Sequence, residues 1–138
     1  MDTLPRRRFL RSMRMVRASD FQRVYRDGNR ARGDLATIAV VANGGEVTRL
    51  GLSIGKRAWK RAVHRNWARR IFREAFRLEY PNLPPGIDVV VIGSRPAPKP
   101  ELAEAREELA RLVQKAWRRH CERPGPERAA GGAKGRER

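Results

Sequence analysis

Cysteine is nearly missing from this chain and acid is scarce. Cys121 is the single cysteine among 138 residues, so no intramolecular disulfide can form, and a reducing compartment such as the cytoplasm is the expected setting. No apolar run approaches the about 18 residues of a membrane span. The start, Arg6-Arg7-Arg8-Phe9-Leu10-Arg11, imitates a twin-arginine export signal. Such a signal leads into an apolar stretch of about 7–15 residues, whereas here Arg11, Arg14 and Arg17 break up the segment where that stretch would stand. The expectation is a basic arm and no export. The two histidines, His64 and His120, fall far apart, and Asp20, Asp27, Asp34 and Asp88 are scattered. A nuclease working alone needs clustered carboxylates for metals, or a histidine with a base and an orienter. Neither catalytic nor metal-ligating residues are therefore assigned.

What is abundant is positive charge. Against 15 Asp plus Glu stand 32 Lys plus Arg, a net charge of +17 and an isoelectric point near 11.6. A field of that size attracts polyanions over long range, and nucleic acid is the expected partner. The excess is concentrated. From Lys56 to Arg73 there are eight lysines and arginines and no aspartate or glutamate. A solvated helix normally mixes its signs, because i,i+4 pairs of opposite charge stabilise it and like pairs do not. An external polyanion is the simplest source of the missing charge.

The length suits one domain with one modest core, and no internal repeat is present. Residues 1–18 read as the basic arm, 19–120 as a single nucleic-acid-binding domain and 121–138 as a disordered tail rich in Pro, Gly, Arg and Glu. Ser19 and Gln22 fit a capping box at the start of a short helix, with Gly28 positioned to end it. Residues 35–42 (LATIAVVA) and 47–54 (VTRLGLSI) read as strands joined by an Asn43-Gly44-Gly45 turn, with a short strand at 29–32 before them. A long basic helix should run from 60 to 80 and stop before PNLPPG, followed by the strand IDVVVI at 87–92 and a last helix from 101 to 120. The order α-β-β-β-α-β-α is an α+β fold, with helices on a small sheet of about four strands.

At 3.6 residues per turn the basic helix has two faces. Val63, Trp67, Ile71, Phe72, Ala75 and Leu78 should pack on the sheet, with Trp67 as a core anchor and Phe76 at the edge. Arg65, Asn66, Arg69, Arg70, Arg73 and Arg77 fill the opposite arc. Phe21 and Tyr25 share one face of the first helix and serve either the core or a stacking surface for single-stranded bases. A helix-turn-helix DNA binder is disfavoured, since the basic helix has no short-turn partner helix. A membrane-surface helix is disfavoured because its apolar face must cover the sheet.

The stretch RLGLSIGKRAWKRAVHRNWARRIFREAFR (residues 49–77) resembles the signature of the bacterial ribonuclease P protein subunit family: a glycine-containing strand, a basic pair, a loop, then an Arg-Asn-Arg core followed by a basic pair and Arg-Glu. Lys56-Arg57, Arg65-Asn66, Arg69-Arg70 and Arg73-Glu74 occupy these positions, with Trp67 where the third core arginine is usual and Ala68 where a larger apolar residue is usual. DFQRVYRDGNR resembles the family's first helix, and IDVVVIGSRPAP its last strand.

The resemblance spans residues 15–120. It implies the fold of the second domain of ribosomal protein S5, with a left-handed βαβ crossover against the general right-handed rule. It also implies a protein that performs no chemistry itself but assists removal of the 5′ leader from precursor tRNA. The active site, with Mg²⁺, then lies on the RNA subunit. The residues carried over for RNA contact are Lys56, Arg57, Lys60, Arg61, Arg65, Asn66, Arg69, Arg70 and Arg73, with Phe21 and Tyr25 for a leader cleft. The partners implied are the catalytic RNA and precursor tRNA, with no membrane, no required protein partner and no cofactor held by this chain. The alternative is a ribosomal or assembly protein that binds structured RNA without a role in cleavage.

Overall fold

A computed structural model describes residues 11–93 and 95–122; most of the arm, and the tail expected at 121–138 apart from Cys121 and Glu122, which end the last helix, lie outside these residues. A 3₁₀ turn, Arg11–Met13, leads to helix α1, Ala18–Asp27. Strands β1 (Asn29–Arg32), β2 (Thr37–Ala42) and β3 (Arg49–Ile54) come next. Helix α2 (Ala62–Glu79), strand β4 (Ile87–Gly93) and helix α3 (Leu102–Cys121) complete the order.

The sheet runs β1-β2-β4-β3. Strand β2 is antiparallel to β1 and β4, and β3 is parallel to β4. The expected pairing of the second and third strands across Asn43-Gly44-Gly45 does not occur, because β4 lies between them. Its sequence explains why. IDVVVIG has no polar–apolar alternation and is buried along nearly its whole length, so it belongs in the interior of a sheet covered on both faces. The β2–β3 connection instead wraps around the start of β4. Asn43 holds it, receiving the Gly45 N–H at 2.7 Å and donating to Val47 O and Asp88 Oδ1, both at 2.9 Å. Strand β3 then reaches β4 through α2, the βαβ unit that the resemblance implies.

Helices α2 and α3 cover one face over a core that includes Phe72, Phe76, Ile38, Ile87, Leu109 and Leu112, all fully buried. The arc of α2 that faces inward differs from the one expected. Ala68, Ile71, Phe72, Ala75 and Phe76 are buried, whereas Val63 is 61% exposed and Trp67 is half-buried. The reason is tertiary: α2 packs against α3 as well as β3, which turns the buried arc toward Ala68 and Ala75, the small residues that allow close approach. Phe76 therefore enters the core, and Trp67 moves to the rim, donating its indole N–H to Pro100 O at 2.9 Å.

Helix α1 alone covers the other face, over Met15, Val24, Ala39, Val41 and Val90. The capping box expected at Ser19 is not formed: the N-cap is Arg17, with no side-chain cap. A capping box forms instead on α3, between Glu101 and Glu104. Gly28 ends α1 in an extended conformation, and close approach is what requires glycine there. A Cβ would lie 2.5 Å from Val24 O and 2.6 Å from Val40 O. Residues 13–15 are no free arm. Met13 and Met15 are buried, and Met15 N–H donates to Leu50 O at 3.0 Å along the outer edge of β3.

Candidate nucleic-acid interface

One flank of α2 carries Arg65, Arg69 and Arg73, one turn apart. The Arg65 guanidinium donates to Trp59 O at 3.1 Å and Lys60 O at 2.7 Å, so it closes the loop that enters the helix. That loop presents Lys56, Arg57, Lys60 and Arg61, all exposed. It is fastened from behind by Trp59, which is buried and donates its indole N–H to Pro98 O at 3.2 Å. Arg69 donates to Asn66 Oδ1 at 2.9 Å, and Arg70 is exposed.

Arg73 is half-buried, and its pKa is held below the ordinary arginine value, first by burial and then by repulsion from Arg14, Arg69 and Arg70. Among the described residues none of Arg69, Arg70 and Arg73 has an acidic partner. Arg77, also expected in this arc, differs: it forms a short ion pair with Glu74, which raises the arginine's pKa and lowers the carboxylate's. Its charge is compensated within the protein.

Two further cations stand at this surface that the helix pattern does not mark. Arg14 joins the ridge because its segment bridges to Leu50 of β3. The alternation Met13-Arg14-Met15, buried-exposed-buried, is the one signal of it in the sequence. Lys99 lies 4.8 Å above the Trp67 ring, within cation–π range. Nothing in the local sequence marks it, since the pairing joins the β4–α3 connection to α2.

The second surface lies on the α1 face of the sheet. Phe21 and Tyr25 are half-buried, with ring centroids 6.4 Å apart and tilted by 49°. They pack on the edge of the small α1 cluster beside Ile92. Phe21 lies directly on β3, where Gly51 makes room: a Cβ there would sit 2.8 Å from the ring. Helix α1 is clamped by Asp88, whose side chain is fully buried. Asp88 accepts hydrogen bonds from Arg23 at 2.5 Å, from Arg49 at 2.8 and 2.6 Å, and from Asn43 at 2.9 Å. Burial pushes the Asp88 pKa up, but hydrogen bonds from Arg49 and Asn43 and the charges of Arg49 and Arg23 hold it below its ordinary value. The clamp covers one end of the sheet face and leaves Thr37, Ser53 and Ile92 only partly covered at the other.

His64 and His120 remain apart; the His120 ring stacks on Trp117 at 5.4 Å. Among the described residues no group of three His, Cys, Asp or Glu could hold a metal ion, and no helix is long and apolar enough to cross a membrane.

A family model described as Ribonuclease P matches residues 9–117. The chain is 36% identical over 114 residues to the ribonuclease P protein component of Cronobacter sakazakii, covering 82% of this chain and 91% of that one. It is 35% identical over 113 residues to that of Klebsiella pneumoniae, with the same coverage. Among solved structures, the RNase P protein of Staphylococcus aureus matches with a TM-score of 0.65 at 27% identity, over 75% of this chain and 94% of that one. The RNase P protein of Thermotoga maritima matches with a TM-score of 0.63 at 27% identity, over 74% and 96%.

Proposed function

The chain belongs to the ribonuclease P protein family and is the protein subunit of that ribonucleoprotein, and we propose that its part there is to bind the catalytic RNA and the precursor tRNA leader on two separate surfaces. The observation that carries this reading is the ridge of Arg69, Arg70 and Arg73, joined by Arg14 and without acidic partners among the described residues. A protein that keeps like charges together, at a cost to one of them, holds them for an external anion. Arginine suits phosphate, which it contacts bidentately, and the exposed Lys56, Arg57, Lys60 and Arg61 extend the surface toward the loop. This surface takes the RNA subunit. The chemistry, with its Mg²⁺, belongs to that RNA, and the setting is the cytoplasm.

The leader is assigned to the α1 face. Phe21 and Tyr25 offer ring surface beside a partly covered strip of sheet, and single-stranded bases stack on such rings without sequence preference at about 1–3 kcal/mol per base. Tyr25→Ala in the reconstituted holoenzyme should weaken binding of a precursor with a leader of several nucleotides by that amount, and leave mature tRNA nearly unaffected. Equal losses for both RNAs, or a large drop in melting temperature alone, would return Tyr25 to the core.

A further inference from the structure

We infer that Arg30 is a third member of the leader platform, extending the aromatic pair of α1 across the sheet to β1. This rests on the leader reading of the α1 face. Strand register supplies the geometry. Arg30 pairs with Ala39, Ala39 with Val90, and Val90 with Gly51, so these four residues form one row across the sheet on the side that α1 covers.

Phe21 lies on Gly51 at one end of the row. Tyr25 stands one helical turn further along, and the Arg30 guanidinium carbon is 5.6 Å from the Tyr25 ring centroid at the other end. Four strands at about 4.8 Å spacing make this ladder about 14 Å long. Alongside it runs the next row, Ser53, Ile92, Thr37 and Arg32, the strip that α1 leaves partly open.

The position of Arg30 is held from behind. Its carbonyl accepts a hydrogen bond from Arg119 at 2.5 Å, and Gly28 lets the end of α1 approach Val40 closely. The side chain itself is exposed, and no carboxylate competes for it among the described residues. A guanidinium plane on a tyrosine face is a stacking surface with charge attached. The guanidinium lies over the Tyr25 ring, and in the proposed platform its open side meets a base while its N–H groups reach a backbone phosphate. A lysine at this position keeps the charge and loses the plane.

The experiment uses holoenzyme reconstituted with its cognate RNA and compares affinity for leader-bearing precursor and mature tRNA. Arg30→Ala should weaken precursor binding about tenfold with mature tRNA changed by less than about twofold, and the protein should melt as before. Arg30→Lys should restore the salt dependence of precursor binding without restoring its affinity. Full recovery by lysine would overturn the stacking role, and an unchanged precursor-to-mature ratio in Arg30→Ala would overturn the inference. If Tyr25→Ala lowers that ratio while Arg30→Ala does not, the inference fails by itself. If neither variant lowers it, the leader reading fails and the inference with it.

Discussion

Asp88 is charged and buried on a central strand, and its side chain ties α1 through Arg23, the β2–β3 connection through Asn43 and the neighbouring β3 through Arg49. Removing one partner of a buried ion pair leaves the others uncompensated and typically costs about 3–5 kcal/mol. Asp88→Ala should lose stability toward the low end of that range in urea denaturation at neutral pH, because Arg23 and Arg49 are partly exposed and keep Asp20 at 3.9 and 3.5 Å. The depressed pKa sets the pH dependence. A carboxyl held below its ordinary 3.8 contributes stability that is complete above that value and is lost as pH falls through the folded-state value. Below about pH 4 the native protein should therefore lose stability more steeply than Asp88→Asn, and equal acid limbs would show that Asp88 is not the group responsible.

Glu108 is the second buried carboxylate. It accepts from the backbone N–H groups of Asp34, Leu35 and Ala36 at 2.9–3.2 Å, pinning the β1–β2 turn to α3. Glu108→Ala leaves these donors unsatisfied, at about 1–3 kcal/mol for a buried group. Amide exchange at Leu35 and Ala36 should accelerate before the rest of the sheet.

Helix α2 serves two tasks on two arcs, and the boundary between them was set by its neighbours. Its apolar residues cover β3 and α3, its cationic ridge faces outward, and Arg65 fastens the preceding loop through two carbonyls. The loop and the ridge thus form one rigid basic surface. Replacing Arg69 and Arg73 together by alanine removes two cations without touching the hydrogen bonds of Arg65. The variant should stay folded. Its affinity for the catalytic RNA should fall, with the log–log salt slope reduced by about 0.7–0.9 for each phosphate no longer neutralised if helical values transfer. A folded double variant with unchanged affinity and slope would detach this ridge from RNA binding. Arg65→Ala should differ, since it also releases the loop, and Arg65→Lys, lacking the planar fork, should not rescue it fully.

At the scale of the molecule, part of the outward backbone of each edge strand of the sheet is engaged. Arg119 of α3 caps β1 through Arg30 O, and residues 14–15 lie along β3. Such coverage blunts edge-to-edge pairing in a chain whose excess charge already disfavours self-association. In the proposed function the two sides then serve different ligands: the α2 side a folded RNA, the α1 side a single strand. Since no group of three His, Cys, Asp or Glu that could hold a metal ion stands among the described residues and His64 and His120 lie in separate helices, the protein freed of RNA by nuclease treatment should not cleave precursor tRNA. His64→Ala, at a half-buried position in the first turn of α2, should leave holoenzyme activity nearly intact. Cleavage by the RNA-free protein would move the chemistry onto this chain.

The element order and the cationic character of residues 56–73 were determined by the sequence itself. Helical and strand periods, turn residues and charge are local properties, and local properties survive without knowledge of neighbours. The basic pair and the arginines of α2 were legible for the same reason. What only the tertiary structure decided is who stands beside whom. That β4 separates β2 from β3 depends on which strand can be buried on both faces, a competition among distant segments. That Phe76 is core and Val63 is not depends on which stretch of α2 packs against α3 and β3. The Asp88 clamp joins residues 23, 43, 49 and 88, and the Arg30–Tyr25 pairing depends on a row of register across four strands. In each case the free energy lies in interactions between segments far apart in the chain, whose pairing is set only when the whole sheet assembles.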